Sequence, residues 1–284
     1  MTFKKPYLSF ILLINSVNFL FAQKVDIGVS VGGTYYYGDV VNEFSPSTAR
    51  YSAGAFLRYH LGDRFAISAN GVYARVSGDD ALSTKSTWQN QRNWNFFTDI
   101  LEASGVLEFN LIEDRNSGRI LKNPLIPYIY LGVGAFYYKP QTILPSGQVQ
   151  SLRALRLSGV DYSDIAICIP MGVGFRYYIY RNYMVGFDFG LRYTSTSYID
   201  DIGGTDVYQD PDNTPFPELT KDAYSSTLAN KNPGDLRGKM GGSSFNINDI
   251  YVIGSLTIAY RLGKQVGGAR GRSFGKAIRC PRFY

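Results

Sequence analysis

Residues 165–179 read IAICIPMGVGFRYYI, and every second position carries a large apolar side chain: Ile165, Ile167, Ile169, Met171, Val173, Phe175, Tyr177 and Ile179. Between them stand Ala166, Cys168, Gly172, Gly174 and Arg176. A period of two puts one set on one face of an extended strand and the other set on the opposite face. The same rhythm runs through Val25, Ile27, Val29 and Val31, and through Tyr51, Ala53, Ala55, Leu57, Tyr59 and Leu61. Long alternating strands, joined by tight turns on one side and long loops on the other, are the pattern of a transmembrane β-barrel.

Working outward, the alternation predicts an all-β chain of about eight strands, over 24–38, 50–61, 65–77, 96–110, 127–139, 163–180, 183–198 and 246–262. Gly62-Asp63-Arg64 and Arg181-Asn182 supply turn chemistry between adjacent runs. The connections after the first, third, fifth and seventh strands are long and polar, the last of them (199–245) the longest. The connection after the fourth, 111–126, falls on the short side yet is not short. Barrels of this kind keep short turns in the periplasm and long loops outside. An antiparallel up-and-down barrel with its N-terminus in the periplasm and an even strand count also returns its C-terminus there.

The N-terminus reads as an export signal over 1–22. Lys4 and Lys5 precede an apolar stretch, and Leu20-Phe21-Ala22 before Gln23 suits cleavage. No later apolar run is long enough for a spanning helix. Aromatic residues make up 15% of the chain, led by 23 tyrosines that cluster near strand ends, as interfacial girdles require. The alternative that the pattern leaves open is an exported soluble β-sandwich or lipocalin-like barrel. The formal charge of +6 is unevenly placed. Lys264, Arg270, Arg272, Lys276, Arg279 and Arg282 lie in the segment 263–284, which has no acidic residue. The reading is therefore a barrel over 23–262 with a basic periplasmic tail over 263–284.

Strand parity sends Asp26, Arg58, Glu102, Glu108, Arg176, Asp188, Arg192, Asp249 and Arg261 inward. A barrel of eight strands has an interior just wide enough for side chains, so these charges are expected to pair in a filled lumen. His60, the single histidine, sits beside the Gly62-Asp63-Arg64 turn and reads as an inward structural residue, not as the base of a lipid-modifying enzyme. Asp79-Asp80 and Asp200-Asp201 read as solvated loop acids, not as a cation site. Neither a phosphate-binding glycine loop nor zinc spacing appears. No catalytic residue, cofactor, metal or nucleic-acid partner is expected. Cys168 points inward and Cys280 lies in the tail, so Cys280 is either an incidental thiol or one half of an intermolecular disulfide. The tail ends in Phe283 and Tyr284, which could serve as apolar anchors for a periplasmic partner.

Several segments resemble the PorG family of outer-membrane barrels from the type IX secretion system of Bacteroidetes. They are Tyr36-Tyr37-Gly38-Asp39, Arg58-Tyr59-His60-Leu61-Gly62, Glu102 with Glu108-Phe109, 128–134 (YIYLGVG), and the ending Cys280-Pro281-Arg282-Phe283. The resemblance implies a non-enzymatic anchor in outer-membrane lipid for a periplasmic ring of a PorK-like lipoprotein and its PorN-like partner. That system exports proteins and, in gliding species, delivers surface adhesins. On the same footing Cys280 would be the covalent link, and Arg270, Arg272, Lys276, Arg279 and Arg282 the electrostatic contacts. The alternative is a stand-alone, OmpX-like small barrel whose extracellular loops bind ligands or surfaces.

Overall fold

The computed structural model describes residues 25–38, 46–79, 95–115, 124–143, 147–153, 162–180, 182–201 and 248–262. The strands are β1 (Val25–Tyr37), β2 (Arg50–His60), β3 (Phe65–Asp79), β4 (Asn95–Asn110), β5 (Leu125–Ile143), β6 (Val149–Ser151), β7 (Ile165–Tyr178), β8 (Tyr183–Thr194) and β9 (Ile250–Leu262). The order β4-β3-β2-β1-β9-β8-β7-β5, with β4 pairing back to β5, closes eight antiparallel strands into a barrel. The short β6 is a spur on β5, from Gln141↔Ser151 to Ile143↔Val149. Closure leaves no free edge in the wall, so the ladder hydrogen bonds are made within it. The ladder skips two places: β5 and β7 pair at Leu131↔Met171 and again at Gly134↔Cys168, and between them Pro170 has no N–H to give.

The apolar set faces outward. Leu256 is 63% exposed, Val133 62% and Ile165 62%. Such a surface is an aggregation hazard in water and the natural exterior of a barrel in lipid. Tyrosines edge it at both ends: Tyr177, Tyr180, Tyr183 and Tyr260 at the short-turn end, Tyr37, Tyr51, Tyr73, Tyr137 and Tyr193 at the long-loop end. The barrel is a membrane-spanning one. Its polar set faces a narrow lumen. There the glycines of β7 and β8 make room for tyrosines of β5: a Cβ at Gly190 would fall on the Tyr130 hydroxyl, and one at Gly174 would meet Tyr128.

Boundaries differ from the sequence reading where the chain leaves the wall. β7 stops at Tyr178 and β8 at Thr194, while β9 begins at Ile250. After Thr194 the backbone turns across the barrel mouth, with Ser195 N bonded to Ile167 O at 2.9 Å and Asp249 N to Thr196 O at 3.0 Å. The spur β6 had no counterpart in the sequence reading. The expected signal, tail and most of the longest loop (1–24, 263–284 and 202–247) lie outside the described residues.

A lysine at the middle of the outward face costs about 2–4 kcal/mol in lipid, and close to nothing near the interface. Leu256→Lys should therefore lower the urea midpoint of the liposome-inserted barrel strongly, and Leu262→Lys hardly at all.

Candidate functional site

The lumen is stacked in three polar layers. At the short-turn end, β1, β2 and β9 bring Asp26, His60 and Arg261 together. Arg261 Nε donates to Asp26 Oδ1 at 2.7 Å, and His60 Nε2 lies 2.7 Å from Asp26 Oδ2. The layer is completed by a residue that is on no strand. Asp114, fully buried, comes from the β4–β5 connection, its own N bonded to Asp63 O at 2.9 Å. Its Oδ2 accepts from Arg261 Nη2 at 2.9 Å and from the Tyr178 hydroxyl at 2.6 Å. Burial alone would raise the Asp114 carboxyl, but the Arg261 charge and the hydrogen bonds from Arg261 and Tyr178 prevail and hold it down at about 2.

The middle layer turns on two glutamates of β4. Glu108 uses both oxygens: Arg58 Nε donates to Oε1 at 2.8 Å and Arg176 Nη2 to Oε2 at 2.7 Å. Arg176 also donates to Asn110 Oδ1 at 3.0 Å, and its guanidinium lies 4.3 Å from the Tyr128 ring centre. Glu102 accepts from Tyr251 and Ser104, each at 2.8 Å, and from Arg192 Nε at 3.3 Å. Asp188 accepts from the Tyr128 hydroxyl. A cavity of about 70 Å³ remains between these groups, lined by Ser30, Ser52, Asn70, Tyr130, Arg192 and Thr257 among others. It is polar and large enough for a small water cluster.

At the long-loop end the base of the longest loop is pinned into the mouth. Ile199 N donates to Asp249 Oδ2 at 2.9 Å, and Thr98 Oγ1 donates to Ile199 O at 2.6 Å. The Tyr36 hydroxyl lies 2.8 Å from Asp200 Oδ2 and 2.7 Å from Asp249 Oδ1. Tyr162 donates to Asp201 and stacks on Tyr198 at 4.6 Å between ring centres. Asp200 and Asp201, expected to be solvated, are instead buried. The chain folds back over the lumen there, with Asp201 at a φ of 65°. Burial pushes the Asp201 carboxyl up to about 7, against the hydrogen bond from Tyr162.

The structure places eight of the nine expected lumen charges inside and buried: Asp26, Arg58, Glu102, Glu108, Arg176, Arg192, Asp249 and Arg261. Asp188 is inward but half-buried. Asp249 stands just before β9, in the cap of the mouth and not on the strand. His60 is inward, in contact with Asp26 and Arg261. Cys168 is buried as a free thiol. Cys280, Arg270, Arg272, Lys276, Arg279, Arg282, Phe283 and Tyr284 lie outside the described residues. Asp114 was not anticipated, and only the excess length of its connection signalled it. Among the described residues no three His, Cys, Asp or Glu are placed to hold a metal. Among the described residues the three layers pair the lumen charges with one another and leave the cavity of about 70 Å³ between them.

A family model described as a domain of unknown function, DUF6089, matches residues 5–224. No curated protein matches the chain. Similar solved structures include Ail, the attachment invasion locus protein of Yersinia pestis, at 10% identity and a TM-score of 0.37, covering 84% of this chain and 99% of Ail. The outer membrane protein OprG of Pseudomonas aeruginosa is similar at 11% identity and a TM-score of 0.40, with 85% and 97% covered. A major outer membrane protein of Thermus thermophilus is similar at 14% identity and a TM-score of 0.39, with 84% and 99% covered.

Glu108→Ala strands two buried guanidinium groups and should cost about 3–5 kcal/mol in urea unfolding, against well under half of that for Ser104→Ala. The two end layers should respond to pH with opposite sign. Asp114 ionises more easily when folded, so the advantage of wild type over Asp114→Asn holds above about pH 4 and fades as pH falls towards about 2. Asp201 holds its proton when folded, so wild type loses ground to Asp201→Asn as pH rises from about 4 to about 7. Urea midpoints across that range check both.

Proposed function

The chain belongs to the DUF6089 family, and for this member we propose a non-enzymatic anchor in the bacterial outer membrane that tethers the PorK/PorN-type periplasmic ring of a type IX secretion machinery. The observation that carries the reading is where the wall begins and ends. Val25, the first residue of β1, pairs with Leu262, the last of β9, so both chain ends leave the barrel at the short-turn end. In an outer membrane that end faces the periplasm. On this reading 1–22 is a cleaved signal, 23–262 the barrel and 263–284 a periplasmic docking tail.

The filled lumen supports an anchor over a pore, since Glu108 and Glu102 are each bonded to arginines on strands that are not their neighbours. His60 is enclosed by Asp26 and Arg261 at the short-turn end, away from the outer leaflet where a lipid-modifying enzyme would work. The tail supplies charge through Arg270, Arg272, Lys276, Arg279 and Arg282, apolar anchors in Phe283 and Tyr284, and a thiol in Cys280. The PorG-like segments supply the identity of the partner.

A second reading, a stand-alone small barrel whose extracellular loops bind ligands, draws on the care with which Asp200, Asp201 and Asp249 pin the base of the longest loop. The two readings part on the tail. Truncation after Leu262 should leave a heat-modifiable, membrane-inserted barrel that no longer co-isolates with the ring lipoprotein. Cys280→Ser should abolish any reducible heterodimer on non-reducing gels of outer membranes. Undiminished co-isolation after truncation would refute the anchor.

A further inference from the structure

The outward set of the wall is almost free of charge. On β1, β2, β7, β8 and β9 it contains no Lys, Arg, Asp or Glu at all. Apart from Asp79 at the very end of β3, its charged residues are Arg75, Asp99 and Lys139. These three stand on neighbouring strands in one row, Arg75 opposite Asp99 and Asp99 opposite Lys139. Charges scattered for solubility would not gather in one row on three adjacent strands.

The height of the row fits a function. The row Phe65, Phe109 and Ile129 marks the short-turn end of the apolar face on the same strands. Ten residues separate it from the charged row, about 33 Å along a strand and, at a tilt of about 40°, about 25 Å across the membrane. That is the height of the apolar band itself. The charged row therefore lies at headgroup level on the long-loop side, one step beyond the row of Tyr73, Leu101 and Tyr137.

The chemistry fits a phosphate. Arg75 grips Asp99 through two bonds, Nε to Oδ1 at 2.6 Å and Nη2 to Oδ2 at 2.8 Å. The Tyr73 hydroxyl adds a third at 2.7 Å, and the rings of Phe97 and Tyr51 flank the guanidinium at 5.0 and 5.8 Å. Asp99 is thereby neutralised, and it holds Arg75 in place with Nη1 making no bond to any described residue. Lys139 is exposed and makes no bond to any described residue, so the row carries one net positive charge. Two cations a couple of strand spacings apart, roughly 10 Å, can close on one lipid headgroup by extending along the wall. We propose that Lys139 and Arg75 form an external binding site for the phosphate of a lipid in the leaflet at the long-loop end. In the orientation proposed above, that lipid is a phosphorylated glycolipid of the outer leaflet.

The test uses the full-length protein in detergent micelles, with bisphosphorylated lipid A as the probe, its dephosphorylated counterpart as comparison, and native mass spectrometry as readout. Wild type should retain the phosphorylated lipid at least tenfold better than the dephosphorylated one. Lys139→Gln should lose most of that preference, Lys139→Arg should restore it, and Arg64→Gln, at the opposite end, should leave it unchanged. Equal retention of the two lipids, undiminished retention by Lys139→Gln, or displacement of the lipid by millimolar inorganic phosphate would each overturn the proposal. The Lys139 variants break no bond of the fold, and heat-modifiable migration confirms that each barrel is closed. Because none of these changes touches the tail, ring capture is scored independently, and either result can fail alone.

Discussion

An eight-stranded wall encloses a lumen no wider than the side chains that fill it, and everything inside follows from that width. Little room is left for water to solvate a charge, so an ion placed there is stabilised by a partner within reach. Glu108 shows the solution most clearly: its two oxygens take one arginine from β2 and another from β7, on opposite sides of the barrel. Glu102 gathers Tyr251 and Arg192 at a single oxygen, and Asp26 takes His60 and Arg261 from the two strands that flank it. The bonds of Glu108 and Glu102 reach past the neighbouring strands and stiffen the interior in directions that the wall's own ladder does not cover. Their net contribution to stability is modest, because desolvation offsets much of the attraction, but removing one partner is expensive.

The two ends are closed by different means. At the short-turn end a connection gives up one residue, Asp114, whose carboxylate joins Arg261 and Tyr178. At the long-loop end the chain itself folds in, and tyrosines meet carboxylates at Tyr36, Tyr162, Asp200, Asp201 and Asp249. One closure is built on an acid that arginine holds low, at about 2, the other includes an acid that burial pushes up to about 7.

Most of the wall was legible in the sequence because a period of two is imposed by lipid on one face and lumen on the other. Ile165 to Tyr177 and Leu256 to Tyr260 alternate because each outward position must meet hydrocarbon. Parity for the same reason placed Arg58, Glu108 and Arg261 inward without any knowledge of their partners. Legibility failed where periodicity ends. Asp114 sits in a connection with no repeating environment, and nothing local distinguishes it from an exposed acid. Asp200 and Asp201 look like loop acids in sequence, and only the backbone's return over the mouth buries them. Strand ends were overrun at Tyr178 and Thr194, where Ile179, Tyr180 and Tyr198 still read as strand residues after the ladder has stopped. The row of Arg75, Asp99 and Lys139 was hidden for another reason: each is an isolated break in its own strand, and only the register aligns them.

The pairing of β1 with β9 sets the order of events in folding. Asp26 and Arg261 are 235 residues apart in the chain, and His60 shares the same arginine. Until the last strand arrives, β1 is an open edge, and Asp26 lacks Arg261, its partner at 2.7 Å. Closure of the wall and neutralisation of that layer are thus one event, and a late one, because the contact spans almost the whole chain. A chain still crossing into its final compartment cannot finish the barrel early. It must remain open, and in need of protection at that edge, until residues 250–262 have been delivered.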